Sequence, residues 1–193
     1  MKRLLSAFGV LIATCAPAFA HVGHGAAESF VAGIAHPLSG LDHITVMVAV
    51  GLWAALKGGR ALWVWPAAFV GVMLIGGAMG MAQIDLPFVE PAILASVVAL
   101  GLLIALAVDL PVALGAVIIG AFALFHGHAH GTEAGDGAGG VEYMAGFAIA
   151  TAALHAAGIG FALVAARNAM RPLVRVAGAV CVVIGAGLIS GVI

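Results

Sequence analysis

Apolar residues run along this chain in long blocks, and the few polar positions between them mark where helices should end. A membrane-spanning helix needs about 20 mostly apolar residues. Six blocks approach or exceed that length, near 41–57, 61–83, 89–108, 110–128, 141–166 and 172–192. Pro87, Pro91, Pro111 and Pro172 lie at or near the block boundaries, where proline is tolerated. Only Asp109-Leu110-Pro111 separates the third block from the fourth, which predicts a tight helical hairpin. The pattern predicts an all-α fold, a polytopic bundle of six transmembrane helices.

The first twenty residues form a different pattern. Lys2 and Arg3 precede an apolar run, Leu4 to Ala13, that is too short to span a bilayer. Ala18-Phe19-Ala20 then places small residues at the last and third-last positions before a cut. This predicts a signal peptide, 1–20, cleaved after Ala20, and a mature transmembrane domain, 21–193, that begins with His21. The alternative is an uncleaved first membrane helix. A lipoprotein cut at Cys15 is disfavoured by Thr14 before it. Cleavage leaves Cys181 as the single cysteine, so the mature chain forms no internal disulfide.

Composition strengthens the membrane reading. Hydrophobic residues make up 64% of the chain and charged residues 8%, against roughly 25% charged in a soluble domain. So few charges cannot cover a water-facing surface, and the lipid bilayer becomes the main solvent. The mature chain holds five basic and eight acidic residues. It has no basic patch, which excludes nucleic acid as a partner.

The basic residues also set an orientation. Lys57 and Arg60 lie between the first two spans, and Arg167, Arg171 and Arg175 lie around the fifth and sixth. The positive-inside rule places that face in the cytoplasm. Glu28, Asp85, Glu90, Glu133, Asp136 and Glu142 fall on the other face, without Lys or Arg. This predicts a multi-pass protein of the bacterial inner membrane with a periplasmic mature N-terminus. Gly76 and Gly80 are spaced for close helix approach, as are Gly187 and Gly191. Tight packing within the bundle explains them better than a dimer face. Gly131 to Gly140, rich in Gly and Ala, predicts a mobile outer loop.

Eight histidines carry the candidate chemistry, and none lies in a cytoplasmic loop. His36-Pro37-Leu38-Ser39-Gly40-Leu41-Asp42-His43 opens the first span. Pro37 disfavours a helix through His36, and Gly40 permits a tight or left-handed turn. A helix restarting at Ser39 or near Asp42 would let His36 fold back towards Asp42 and His43. Imidazole with carboxylate is a normal ligand set for divalent nickel, cobalt, zinc or copper. A helix cap at Asp42 with two interfacial histidines accounts for the spacing equally well.

His126-Gly127-His128-Ala129-His130, followed by Glu133, ends the fourth span. A helix would put His126 and His130 on one face; an extended chain would align all three rings. Either geometry can chelate, and a polar helix end reaching water is the plainer alternative. His155 lies about 20 Å into the fifth span at 1.5 Å per residue. An ionisable residue at that depth is a functional candidate, or else a neutral ring bonded to a neighbouring helix. Asp109 reads as a cap for the following helix. His21, His24 and the new terminal amine form a nitrogen set suited to Cu(II) or Ni(II), although an unoccupied tail is the simpler reading.

These residues resemble a known family. The segment His36 to His43 looks like the HupE/UreJ signature, His-Pro-x-x-Gly-x-Asp-His. Phe125 to Gly131 with Glu133 looks like that family's second signature, and the His155 region, six-span layout and length also fit. The resemblance implies a nickel permease of bacterial hydrogenase or urease systems, acting as a secondary transporter. It implies that His36, Asp42 and His43 are transport-critical ligands, and it matches His126, His128, His130 and Glu133 to the second motif.

The expected function is therefore movement of a divalent transition metal from periplasm to cytoplasm for metalloenzyme maturation. Nickel is the substrate that the resemblance implies; cobalt, zinc and copper share the ligand chemistry. No Gly-rich nucleotide motif is present, so the membrane potential is the economical driving force, about 4.6 kcal/mol per 100 mV for a divalent cation. Two other classes stay open. One is an intramembrane metal-dependent hydrolase, with zinc activating water. The other is a periplasmic metal-binding or sensing membrane protein without transport.

Overall fold

The computed structural model describes residues 29–134 and 138–193. The expected signal peptide and its cut, Glu28, Asp136, His21 and His24 lie outside these residues. Among the described residues there are seven α-helices, one short 3-10 turn and no strand. The helices are α1 (Phe30–Ala35), α2 (Leu41–Lys57), α3 (Ala61–Met81), α4 (Val89–Ala105), α5 (Val112–Ala134), α6 (Ala138–Arg167) and α7 (Arg171–Ser190), with the 3-10 turn His36–Leu38 between α1 and α2.

Four of them, α3, α5, α6 and α7, are long and apolar enough to cross a membrane. The α1 segment and α2 make a fifth candidate if read as one span, bent by 83° at its break. Helix α4 is apolar but has 17 residues, about 26 Å of rise against a hydrocarbon layer of about 30 Å. The expected set of six spans is thus modified: an extra short helix precedes the first, and the third, expected over 89–108, ends at Ala105. Leu74, Ile75, Val117, Ile149, Val164, Val176 and Val183 point outward and stay exposed. So extensive an apolar exterior suits lipid rather than water.

Helix ends explain most differences from the expected boundaries. After α4, the Val108 N–H bonds the Leu103 carbonyl at 2.8 Å and the Ala107 N–H bonds the Ile104 carbonyl at 2.9 Å. This pair of bonds is a Schellman closure, and Ala107 takes the left-handed position at φ 51°. Gln83 after α3 and Ala169 after α6 do the same, at φ 54° and 57°. A left-handed non-glycine residue costs roughly 1–2 kcal/mol, and no glycine in the sequence announces these stops. The expected tight hairpin at 109–111 is consequently a six-residue link, 106–111.

The expected mobile loop over 131–140 is also corrected. Helix α5 continues to Ala134, and α6 begins at Ala138. Packing overrides the loop-like composition, because Gly131 is buried against the backbone of Gly77. A Cβ at Gly131 would run into the Gly77 carbonyl, and one at Gly127 into that of Met73. From the other side, Gly76 meets the Leu124 carbonyl and Gly80 that of His128. Helices α3 and α5 therefore touch backbone to backbone.

The same device recurs. Gly33 of α1 crosses Gly146 of α6, Gly51 of α2 crosses Gly158 of α6, and Gly101 of α4 crosses Gly178 of α7. Gly187 and Gly191 differ: Gly191 closes α7 at φ 69°, and the space beside Gly187 is filled by Ile193.

At the end that carries Lys57 and Arg175, two tryptophans fasten the 106–111 link. The Trp53 indole N–H donates to the Val108 carbonyl at 3.0 Å, and Trp65 donates to that of Val112 at 2.9 Å. Their rings lie 4.3 Å apart. Lys57 Nζ sits 2.5 Å from Asp109 Oδ1, so the carboxylate expected to cap α5 is engaged by a lysine. Arg175 donates to the Ala105 carbonyl at 2.8 Å. A cavity of about 410 Å³ opens there, lined by Lys57, Asp109, Arg171 and Arg175 among others.

Candidate metal centre

The opposite end gathers histidines. Ser29 caps α1 by accepting from the Ala32 N–H at 3.1 Å. The helix ends before Pro37, and the 3-10 turn follows. The Ser39 hydroxyl donates back to the His36 carbonyl at 2.7 Å. The N-cap of α2 is Gly40, in extended conformation at φ −97°. Neither Ser39 nor Asp42 caps the helix, and Gly40 is not left-handed. Its role is space, since a Cβ there would lie 2.7 Å from both Asp42 Oδ1 and His43 Nδ1. The bend swings His36 over the first turn of α2, with its ring centroid 5.7 Å from that of His43.

Helix α5 brings His130 to the same point. Its ring lies 4.6 Å from His36 and 4.5 Å from His43. One nitrogen from each of the three rings falls within 4.8 Å of the others. His43 and His130 face each other directly through Nε2. Each has a carboxylate on its far side: Asp42 Oδ1 is 2.7 Å from His43 Nδ1, and Glu133 Oε2 is 3.2 Å from His130 Nδ1. Glu133 also lies 3.7 Å from His36 Nε2.

An ionised carboxylate only accepts hydrogen bonds, so Glu133 favours the proton on His130 Nδ1 and leaves its Nε2 as a lone pair, while Asp42 lies beside His43 Nδ1 without hydrogen-bonding it. His43 Nε2 faces that lone pair, either as an N–H donor to it or as a second lone pair that a cation can join. A histidine oriented by a carboxylate through its other nitrogen is the usual outer-shell arrangement of metal-binding imidazoles. The Phe147 ring stacks on His130 at 4.4 Å and forms the floor of the triad.

The remaining histidines are placed differently. His126 lies one turn along α5 from His130, with its ring 5.5 Å from His43. Its Nε2 is 3.0 Å from Ser96 Oγ, whose single proton goes to the Ile93 carbonyl at 2.6 Å. His126 Nε2 must then donate, which leaves Nδ1 as a bare, buried atom without a partner. His155 Nδ1 lies 2.7 Å from the Met47 carbonyl and must donate to it, so its buried Nε2 is likewise bare and unpartnered. His128 turns away from the triad and donates through Nε2 to the Ile84 carbonyl at 2.7 Å. It lines a cavity of about 300 Å³ together with Glu90 and Glu133.

The structure thus joins His36, His43 and His130, with Asp42 and Glu133 beside them and His126 adjoining. His128 and His155 lie apart from that group. Sequence reasoning missed three contributors. Glu90 was counted only as an outer charge, and Phe147 carried no signal. Ser96, the one hydroxyl residue in α4, could have been flagged as a polar position in an apolar span.

The family model described as HupE / UreJ protein matches residues 9–188 of this chain. The chain is similar to Protein HupE of Rhizobium leguminosarum bv. viciae, 46% identical over 182 residues, which span 94% of this chain and 95% of that protein. No solved structure gives a significant match.

Proposed function

This chain belongs to the HupE/UreJ family of multi-pass membrane proteins, and from that premise we propose that it is a secondary transporter carrying a divalent transition metal, nickel above others, from periplasm to cytoplasm. Delivery to the maturation of a hydrogenase or urease is the role that family membership suggests. In this reading the bundle crosses the inner membrane six times after signal cleavage. The bent α1–α2 segment is the first span and α4 a short third one. The histidine end faces the periplasm and the basic end the cytoplasm, in keeping with the positive-inside rule.

The observation that carries the proposal is the facing pair of Nε2 atoms in His43 and His130, each with a carboxylate beyond its Nδ1. His36 completes a three-imidazole set, which suits nickel, cobalt, zinc or copper. Asp42 and Glu133 orient the rings rather than serving as primary ligands. Glu90, His128 and Glu133 line the outer cavity, where two carboxylates attract a cation. His126 and then His155 offer bare nitrogens along the inward course. Three neutral ligands release an ion more readily than a closed four-ligand cage, as transport requires.

Uptake of radioactive nickel by cells with and without the protein tests this reading. The expected outcome is protein-dependent uptake that a His36→Ala, His43→Ala double variant reduces to background. Uptake at the wild-type level in that variant would overturn the site assignment. A stoichiometric metal that never exchanges from the purified protein would instead favour an enzyme or a static site.

A further inference from the structure

Beneath the triad, on the far side of Phe147, lies a second group of donors. Tyr143, Phe147, Thr151 and His155 recur every four residues along α6 and share one buried face. Phe147 is the level that touches the triad, with its ring 6.0 Å from His36 and 6.1 Å from His43. One turn further, the Thr151 hydroxyl lies 3.3 Å from Met47 Sδ and 3.7 Å from Met73 Sδ. One turn beyond that is His155. The same ladder runs along α3, where Met73 stands opposite Thr151 and Phe69 opposite His155, with Phe69 and His155 ring centroids 5.0 Å apart.

Two features here lack an explanation from packing alone. His155 spends its Nδ1 proton on the Met47 carbonyl and keeps a bare, fully buried Nε2. A buried polar atom without a partner is uncommon in native structures, and an Nδ1–H bonded to a carbonyl is the arrangement that presents Nε2 to a metal. In addition, one threonine proton serves two thioethers, so at any moment at least one sulfur has its lone pairs free. Thioethers and imidazole together select soft cations. Methionine side chains are flexible enough to adjust around an incoming ion.

We propose that Met47, Met73 and His155 form a second metal site beneath the histidine triad, one that takes a soft monovalent d10 cation such as Cu(I) or Ag(I). The site rests on the transport reading only for its route of supply through the triad. It distinguishes the two levels by chemistry: nitrogen donors above, sulfur and nitrogen below. A soft ion held there occupies the inward course that a nickel ion would follow.

The test is X-ray absorption on the full-length protein, purified in detergent and loaded anaerobically with two equivalents of Cu(I). The key variant is Met47→Leu, Met73→Leu, because leucine conserves volume and the fold tolerates such swaps well. Wild type should show both nitrogen and sulfur scatterers. The leucine variant should lose the sulfur contribution and bind its second equivalent about tenfold or more weakly, roughly 1.4 kcal/mol or more. The His36→Ala, His43→Ala variant should keep the sulfur contribution. Nitrogen scatterers alone in wild type, or sulfur scattering that persists in the leucine variant, would overturn the site. Failure of nickel uptake by wild type, with the sulfur signal still dependent on Met47 and Met73, would overturn the transport reading and leave this site standing.

Discussion

At the basic end of the bundle, polar side chains are spent on holding the protein together, whereas in the histidine half several are left open. Trp53 donates to the Val108 carbonyl of the α4–α5 link and Trp65 to the Val112 carbonyl that opens α5, Lys57 engages Asp109, and Arg175 takes the Ala105 carbonyl. In the histidine half, His126 Nδ1 and His155 Nε2 are buried without partners, and His43 and His130 turn Nε2 towards each other. Leaving a buried polar group unsatisfied costs roughly 1–3 kcal/mol. Burial runs against the contrast: the Asp109 side chain is 75% exposed and Arg175 is exposed, whereas His126 and His155 are fully buried, so the groups that most need partners are the ones left without them. What differs is whether the neighbouring elements supply a complementary group. One region is closed by its own chain; the other keeps buried donor atoms that its own chain leaves unpaired.

The sharpest way to break that contrast uses two residues of one helix. His130 faces the triad and His128, two positions earlier, bonds the Ile84 carbonyl. His130→Ala removes one of three imidazoles. Since losing an outer-shell partner alone costs 10–100-fold in metal affinity, this variant should lose about 100-fold or more and show background uptake. His128→Ala gives up one hydrogen bond, worth about 0.5–1.5 kcal/mol of stability, and should keep the triad's metal binding. Calorimetric nickel titration of both purified variants, alongside uptake, checks the order. Equal losses, or the reverse order, would mean that the triad is not where the cation is held.

A second effect, next in size, concerns how the open region is held open. Gly127→Ala places a methyl group against the Met73 carbonyl, which is backbone and cannot swing aside. Helices α3 and α5 must part, at a cost of about 1–3 kcal/mol, and His126 and His130 move with α5. The unfolding temperature in detergent should fall and nickel affinity with it. Gly71→Ala on α3, where a Cβ would meet nothing within 4 Å, should change neither. A neutral Gly127→Ala would show that the crossing is looser than its backbone contacts indicate.

The sequence made some of this legible and hid the rest for physical reasons. The range 41–57 and the start at Ala61 follow from apolar runs separated by Gly58-Gly59, whereas the helix expected to reach 83 stops at Met81, before the left-handed Gln83. The ends at Ala105 and Arg167 do not follow from such runs either, because Ala107 and Ala169 accept a left-handed conformation that glycine usually marks. The helix through Gly131–Ala134 was hidden because its support is the backbone of α3, far along the chain. At the site, His36, Asp42, His43, His130 and Glu133 stood out by spacing. The division among His126, His128 and His130 needed the helical phase. The tautomers needed partners 30 and 108 residues away, Ser96 for His126 and Met47 for His155, which no local pattern carries.

The smallest expected effect lies at the other end, and it tests whether the basic end is indifferent to the cation. Lys57 and Asp109 form a close pair, but the Asp109 side chain is 75% exposed. Exposed pairs contribute about 0.2–1 kcal/mol. At physiological salt the screening length is about 8 Å, so high salt should erase most of that. A double-mutant cycle on Lys57→Ala and Asp109→Ala, measured by unfolding in detergent at low and high salt, should give a coupling within that range that shrinks with salt. Nickel uptake by both single variants should match wild type. A coupling well above 1 kcal/mol would mean that the pair is effectively buried, in lipid or in an assembly. A loss of uptake with intact folding would mean more. It would place Asp109 on the cation's way out, and the basic end would then share the open character of the histidine half.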